Sequence, residues 1–286
     1  MPKHIIINSS NYDSVNNRFI YRFPTSQRLI NKQVTLSGIS IYNSFFNISA
    51  ASYGNNVLTV NFPTTTGYLP FTFTFPDSYM SISDMNYYIQ QQCIVNNLYV
   101  TNAQGNFVYF FEIVANSVRY AAQMNFYLVP ISADATTKNY TKPAGATWSF
   151  PTTSRTPYVV FNSAFGSLLG FTGGTYPTAG ATGTTVLTNL LSPNAPNISI
   201  VNSLILTCNL VNNFGISNPV DLFYALPLTV GFGSLITINS QNALYTDVAS
   251  NDYQFIEIRI YDQNMSSVPL LDTDVLIMLC IKDKND

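Results

Sequence analysis

Residues 250–286 leave the chain few ways to fold. From Phe255 to Tyr261 the side chains alternate. Ile256, Ile258 and Ile260 share one parity, and Phe255, Glu257, Arg259 and Tyr261 share the other. A period of two with one wholly aliphatic set is the pattern of a strand that lays one face on a core. Turn formers follow at Asp262-Gln263-Asn264 and at Asp272-Thr273-Asp274. Residues 275–281 then read VLIMLCI, an unbroken apolar run expected of a strand covered on both faces. After it only the polar stretch 282–286 remains. An alternating strand and a buried one, paired as a terminal hairpin, predict the closing of a β-sandwich against which the rest of the chain packs.

Upstream, strand signals dominate. Residues 18–23 (RFIYRF) alternate before the break at Pro24-Thr25-Ser26. Residues 33–46 are apolar at Val34, Leu36, Ile39, Ile41 and Phe45, with a phase slip at Ser37-Gly38. A glycine inside such a run marks a bulge or bend, so one bent strand and two strands both fit. Residues 57–62 pair naturally with 68–75 across 63–67, and Pro70 assigns the second of these to an edge. The period then changes: Met85, Tyr88, Ile89, Gln92 and Cys93 follow a helical spacing, with Ser83 or Asp84 as the expected N-cap and Asn96-Asn97 as the stop. Residues 107–114 and 118–129 form a further strand pair. Residues 131–160, which hold the single tryptophan, Trp148, read as a long loop. Residues 161–171 read as a short apolar helix or turn, and 173–183 as an exposed loop. Residues 203–211, 222–230 and 235–238 supply more strands. Residues 1–17 are assigned to an N-terminal arm, a first edge strand over 4–8 being the other reading. About ten strands, one short helix and two long loops predict an all-β sandwich with long Greek-key returns.

Composition agrees and narrows the function. Charged residues are 9% of the 286, against roughly 25% in ordinary soluble domains. Glutamate occurs only at Glu112 and Glu257, while aromatic residues reach 14%. Helix formers are thus scarce and strand formers plentiful. The net charge is −2, with no run of Lys or Arg, so the basic footprint of sequence-specific nucleic-acid binding is not visible. A surface low in charge and rich in Asn, Tyr and Phe favours protein–protein contact, although an AT-rich coding sequence accounts for part of the same bias. Cys93, Cys208 and Cys280 are odd in number, widely spaced and set in apolar segments, which predicts buried free thiols and a reducing compartment. No apolar run reaches the length of a membrane span, and 1–13 lacks a signal-peptide core. The sequons at Asn47, Asn139 and Asn197 are expected by chance in a chain this rich in Asn, Ser and Thr.

Catalytic chemistry is poorly supplied. The one histidine, His4, lies in the presumed arm, so no Ser–His or Cys–His pair has an ordered base. Glu112 and Glu257 both fall inside strand patterns. Asp272 and Asp274 could face a metal, but a turn before a strand explains them better. Gly231-Phe232-Gly233 lacks the third glycine and the lysine of a phosphate loop. The cysteine spacing fits no zinc site. No catalytic, cofactor-binding or metal residue is assigned, and the chain reads as structural rather than enzymatic.

Several segments form an ordered set: Asn8-Ser9-Ser10-Asn11, Asn16–Pro24 (NNRFIYRFP), Ile41–Ile48 (IYNSFFNI) followed by Tyr53–Asn56 (YGNN), and Phe75–Tyr79 (FPDSY) running into Ser83–Ile89. Leu168-Leu169-Gly170-Phe171 and the C-terminal strands with Asp262 at their turn complete it. Taken together, the set resembles the penton (minor capsid) proteins of Sputnik- and mavirus-like virophages. The resemblance implies a single jelly roll from 18–75 plus 200–286 and an inserted outer β-rich domain from 76–199, with 1–17 as a tether. It further implies homopentamers at the fivefold vertices of an icosahedral capsid, among double-jelly-roll major capsid proteins, in a virion assembled in host cytoplasm. It implies no catalytic residues. The alternative is a trimeric receptor- or glycan-binding β-sandwich head of a viral spike or fibre.

Overall fold

In the computed structural model, residues 2–177, 183–213, 221–239 and 244–285 are described. The chain opens with β1 (Lys3–Asn8), a short 3-10 turn at Ser9–Asn11, β2 (Tyr12–Asp13), β3 (Arg18–Leu29) and β4 (Lys32–Tyr42). A second compact unit, Phe46–Ile200, then interrupts the first, Met1–Phe45 plus Val201–Asp286. The inserted unit contains β5 (Val57–Thr64), β6 (Gly67–Thr74), α1 (Ile82–Val95), β7 (Val100–Thr101), β8 (Phe107–Val108), β9 (Phe111–Asn116) and β10 (Ala121–Phe126). It continues with α2 (Ser132–Thr137), β11 (Tyr158–Phe161), α3 (Ser163–Leu169), β12 (Gly174–Tyr176) and β13 (Thr188–Leu191). The first unit resumes with β14 (Ser203–Cys208), β15 (Leu222–Pro227), β16 (Leu235–Asn239), β17 (Thr246–Asp247), β18 (Asn251–Asp262) and β19 (Leu276–Asp283).

The pairing of the long strands in the first unit is nested. The first pairs with the last (β1 with β19), the second with the one before last (β3 with β18), the third with β16, and β14 with β15, all antiparallel. A ribbon of such nested pairs, rolled up so that β19 also meets β4 and β14 also meets β18, gives two facing sheets. Their orders are β1-β19-β4-β16 and β15-β14-β18-β3-β2. This is a jelly roll, and it corrects the expected terminal hairpin. β18 and β19 are not partners: the chain crosses the sandwich between them, and each pairs with an earlier strand. The inward side chains do follow the alternation. Ile256, Ile258 and Ile260 of one sheet face Ile277, Leu279 and Ile281 of the other, each no more than 5% exposed. β19 is therefore covered fully on one face only, since Leu276 on the other parity is 37% exposed.

Three other expectations change. Residues 3–8 form an edge strand rather than part of an arm, because Ile5 and Ile7 reach the core and all six residues register with β19. Residues 46–75 belong to the inserted unit and not to the jelly roll: β5 pairs with β6 and β11, so its strands have no partner in the sandwich. The helix is joined by two short ones among the described residues. Its N-cap is Ser81, whose Oγ accepts from the Asp84 N–H at 3.2 Å while the Asp84 carboxylate accepts from the Ser81 N–H at 2.9 Å. That reciprocal capping box outcompetes a start at Ser83. The slip at Ser37-Gly38 is a bulge in a single strand: Met278 registers with Gly38 and Leu279 with Leu36, leaving Ser37 over. Pro70 does sit on an edge strand, β6.

The inserted unit packs sheets β12-β11-β5-β6 and β13-β10-β9, together with α1, around a core that includes Phe62, Phe73, Phe126 and Phe165. The stretch read as a long loop carries α2 and places Trp148 in that core at 1% exposure. The Trp148 indole N–H donates to the Asn97 carbonyl at 2.6 Å, and its ring lies 4.8 Å from that of Phe62. A buried indole needs such an acceptor. Part of the loop expected at 173–183 forms β12, and 178–182 lie outside the described residues.

Candidate interaction surfaces

The outer faces of the two jelly-roll sheets are built from opposite chemistry. On the β1-β19-β4-β16 sheet the outward residues stand in cross-strand rows. Ile6 registers with Met278, Met278 with Gly38 and Gly38 with Asn239. Asn8 registers with Leu276, Leu276 with Ser40 and Ser40 with Thr237. His4 registers with Cys280 and Cys280 with Thr35, but Cys280 and Thr35 are 4% and 2% exposed, so only His4 of this row reaches water. These three rows contain no Lys, Arg, Asp or Glu. Ile6 is 56% exposed, and Leu235, beside Tyr42, is 45% exposed. A Cβ at Gly38 would lie 2.4 Å from the terminal methyl of Met278, a flexible end that can move aside. Antiparallel sheets usually turn a polar face to water; this one sets Ile6, Leu276, Met278 and Leu235 among neutral polar groups, His4, Asn8, Thr237 and Asn239.

On the β2-β3-β18-β14-β15 sheet the outward parity carries charge: a chain of ion pairs and, opposite Phe255, the exposed Arg22, which has no ion pair among the described residues. Arg18 donates from Nε to Asp13 at 3.0 Å and from Nη1 to Glu257 at 2.7 Å, and Arg259 donates to the other Glu257 oxygen at 2.7 Å. Two acids and two bases thus form one neutral chain across three strands. Hydrogen bonds from Asn16 and Arg18 hold the Asp13 carboxyl below the usual carboxylate range. Ile20, opposite Glu257, and Tyr261, opposite Ile205, flank the chain with apolar surface.

The residues weighed for chemistry are scattered. His4 is exposed on the edge strand β1. Glu257 is engaged by the two arginines. Asp272 accepts from the Asp274 N–H at 2.9 Å, as in an Asx turn. Cys93 and Cys208 are buried free thiols pushed up to about 12 by desolvation, and Cys280 is buried beside the Tyr245 hydroxyl, 3.7 Å away. Such thiols are poor nucleophiles. Asn47 of the first sequon is 1% exposed. Its amide is used by the Met80 and Ile198 carbonyls and the Met80 N–H, at 2.9, 3.0 and 2.8 Å. No group of three potential metal ligands occurs among the described residues, and no helix among them is long and apolar enough to cross a membrane.

Glu112 is better placed than its sequence context suggested. It lines a pocket of about 490 Å³ in the inserted unit with Tyr109, Tyr127, Tyr140 and Lys138. One carboxylate oxygen accepts from the Tyr127 hydroxyl at 2.5 Å and from the Asn125 amide at 2.9 Å. That bond, with burial, pushes the Tyr127 phenol up to about 12. Tyrosine rings around a partly satisfied carboxylate can stack on a small polar ligand and bind its hydroxyls. Sequence reading missed this site because its members lie far apart between residues 109 and 140, with nothing local to join them.

Comparison with protein-family models gives no match, and comparison with curated proteins gives none. Among solved structures, the selenomethionine-labelled mavirus penton protein is similar to this chain. The likeness covers 98% of this chain and 97% of that one, with 9% sequence identity and a TM-score of 0.45.

Proposed function

We propose that this chain is a structural virion protein, a penton or minor capsid protein that forms homopentamers at the fivefold vertices of an icosahedral capsid and works without enzymatic chemistry. The observation that carries this reading is the nested strand pairing of the first unit, a jelly roll of the kind used in capsid shells. A large unit is inserted between its third and fourth long strands. The order of the segments that resemble virophage pentons supports the same reading. In it the inserted unit is the outer domain, and the neighbours around each ring are double-jelly-roll major capsid proteins, joined in host cytoplasm.

A head-to-tail ring needs two different patches on each copy. The two outer faces supply them. The apolar face gains by leaving water, at about 25 cal/mol per Å². The charged face, balanced along its Asp13–Arg18–Glu257–Arg259 chain, pairs those ions before contact, which lowers the cost of burying them, and leaves one exposed cation, Arg22, to be met by a polar group of the next copy. The ring is assigned to contact between the apolar face of one copy and the balanced face of the next.

Negative-stain images of the full-length chain, alone and mixed with a double-jelly-roll major capsid protein, test the reading. Fivefold rings in either sample support it. A second reading, a trimeric glycan-binding head, draws on the ring-lined pocket around Glu112; threefold particles would favour it and sink the penton assignment.

A further inference from the structure

Four of the twelve lysines and arginines, Lys3, Arg28, Lys32 and Lys282, line one groove of about 640 Å³ in the jelly-roll unit, together with His4 and a single acid, Asp283. They come from the start of β1, the end of β3, the start of β4 and the end of β19, so the fold gathers them from four separate strand ends. Asp283 is taken by Lys32 at 2.6 Å. The Lys282 ammonium stands 4.2 Å from the centre of the Tyr245 ring, which holds it in place without neutralising it. Asp252 registers opposite Arg28 but makes no ion pair with it, and Asp247 is engaged by Lys284. Among the described residues no carboxylate pairs with Lys3, Arg28 or Lys282. In a chain with 9% charged residues, three cations without an ion pair around one cavity are a marked local excess, even though Lys3 also acts at longer range on Asp283.

Two further features of the groove go beyond charge. Its floor is apolar, with Tyr21, Phe23 and Leu29. Its rim is β1, which ends the sheet among the described residues: it pairs with β19 on one side only, so alternate residues of β1 turn their N–H and C=O groups to the open side. An open strand edge beside an apolar floor is the geometry of strand addition. A single strand of nucleic acid would use the cations and stack its bases on Tyr21 and Phe23, but it would leave the strand edge idle.

We propose that this groove docks an acidic, extended segment of a partner polypeptide. The segment adds alongside β1, sets carboxylates against Lys3, Arg28 and Lys282, and lays its alternate apolar side chains on Tyr21, Phe23 and Leu29. The inference is independent of ring formation, because a chain that stays monomeric would bind the same segment.

The test is fluorescence anisotropy on the full-length chain with three labelled probes: an octapeptide alternating Asp and Val, its Asn-for-Asp counterpart, and an oligothymidylate of equal length. Saturable binding of the acidic peptide is expected, weakening as salt rises. The Asn counterpart should bind at least about tenfold more weakly. Arg28→Gln combined with Lys282→Gln should lower affinity for the acidic peptide by at least about tenfold with an unchanged Tm. The single change Lys3→Gln, at an exposed edge position, should lower it less. Equal binding of the two peptides, or an unchanged affinity in a folded variant, would overturn the proposal. Tighter binding of the oligothymidylate would reassign the groove to nucleic acid. No saturable binding at any salt would reduce the cations to guards of an open edge.

Discussion

The two sheets of the jelly roll bury similar surfaces and expose different ones. Inward, both present the same aliphatic set: Ile256, Ile258 and Ile260 on one side, Ile277, Leu279 and Ile281 on the other. Outward, one sheet carries the Asp13–Arg18–Glu257–Arg259 chain, and the other carries Ile6, Leu276, Met278 and Leu235 with no ion in its three central rows. The inner faces answer to folding, so they converge. The outer faces are free of that demand, and their divergence is where function can be read.

The largest expected effect comes from erasing the similarity. Leu279→Ala and Ile258→Ala each remove a wholly buried side chain, and each should cost about 2–5 kcal/mol by chemical denaturation. If one sheet tolerated the change and the other did not, the inner faces would not be equivalent.

A smaller effect should follow from breaking the charged face. Glu257→Gln removes both carboxylate contacts that join Arg18 and Arg259. The side chains involved are between 16% and 41% exposed, so the loss should be about 1 kcal/mol and should shrink as salt is raised. A salt-independent loss would mean that packing, not charge, sets the role of this face.

The smallest is a pH effect. The Asp13 carboxyl is held below its ordinary value of 3.8, and so are those of Asp247 and Asp283 at the end of the other sheet. Groups depressed in the folded state contribute stability that is complete above the unfolded value and is lost as pH falls through the folded one. The Tm should therefore hold from neutrality to about pH 4 and decline below it. Asp13→Asn should blunt that decline. A Tm that falls already between pH 6 and about pH 5 would point to other groups.

What the sequence disclosed follows from how local each feature is. The alternation of residues 255–261 was legible because one buried face imposes it residue by residue, and Ser37-Gly38 announced its bulge for the same reason. The partner of that strand was not legible: β18 and β19 are close in sequence, yet each pairs instead with a strand more than two hundred residues away, β3 and β4, and β18 also with β14. The start of the inserted unit escaped notice because the mixed apolar and polar composition around Phe45 and Phe46 (IYNSFFNIS) is the same on both sides of the crossing. β1 was half visible, since a short Ile-Ile-Ile run suits an edge strand and an arm alike. The apolar outer face and the basic groove are properties of register and of strand ends. Leu276, Met278 and Ile6, or Lys3, Arg28 and Lys282, mean little until the fold sets them side by side.

The contrast between the two outer faces carries the account, and the mass of the chain in solution tests it most directly. Light scattering on the full-length protein should give five times 31.7 kDa, alone or on adding a double-jelly-roll major capsid protein. Under the same conditions Ile6→Glu combined with Leu276→Glu should give 31.7 kDa with an unchanged Tm, because two carboxylates would then stand on the face that must leave water. A stable trimer of the native chain, or a variant that assembles as the native chain does, would contradict the account.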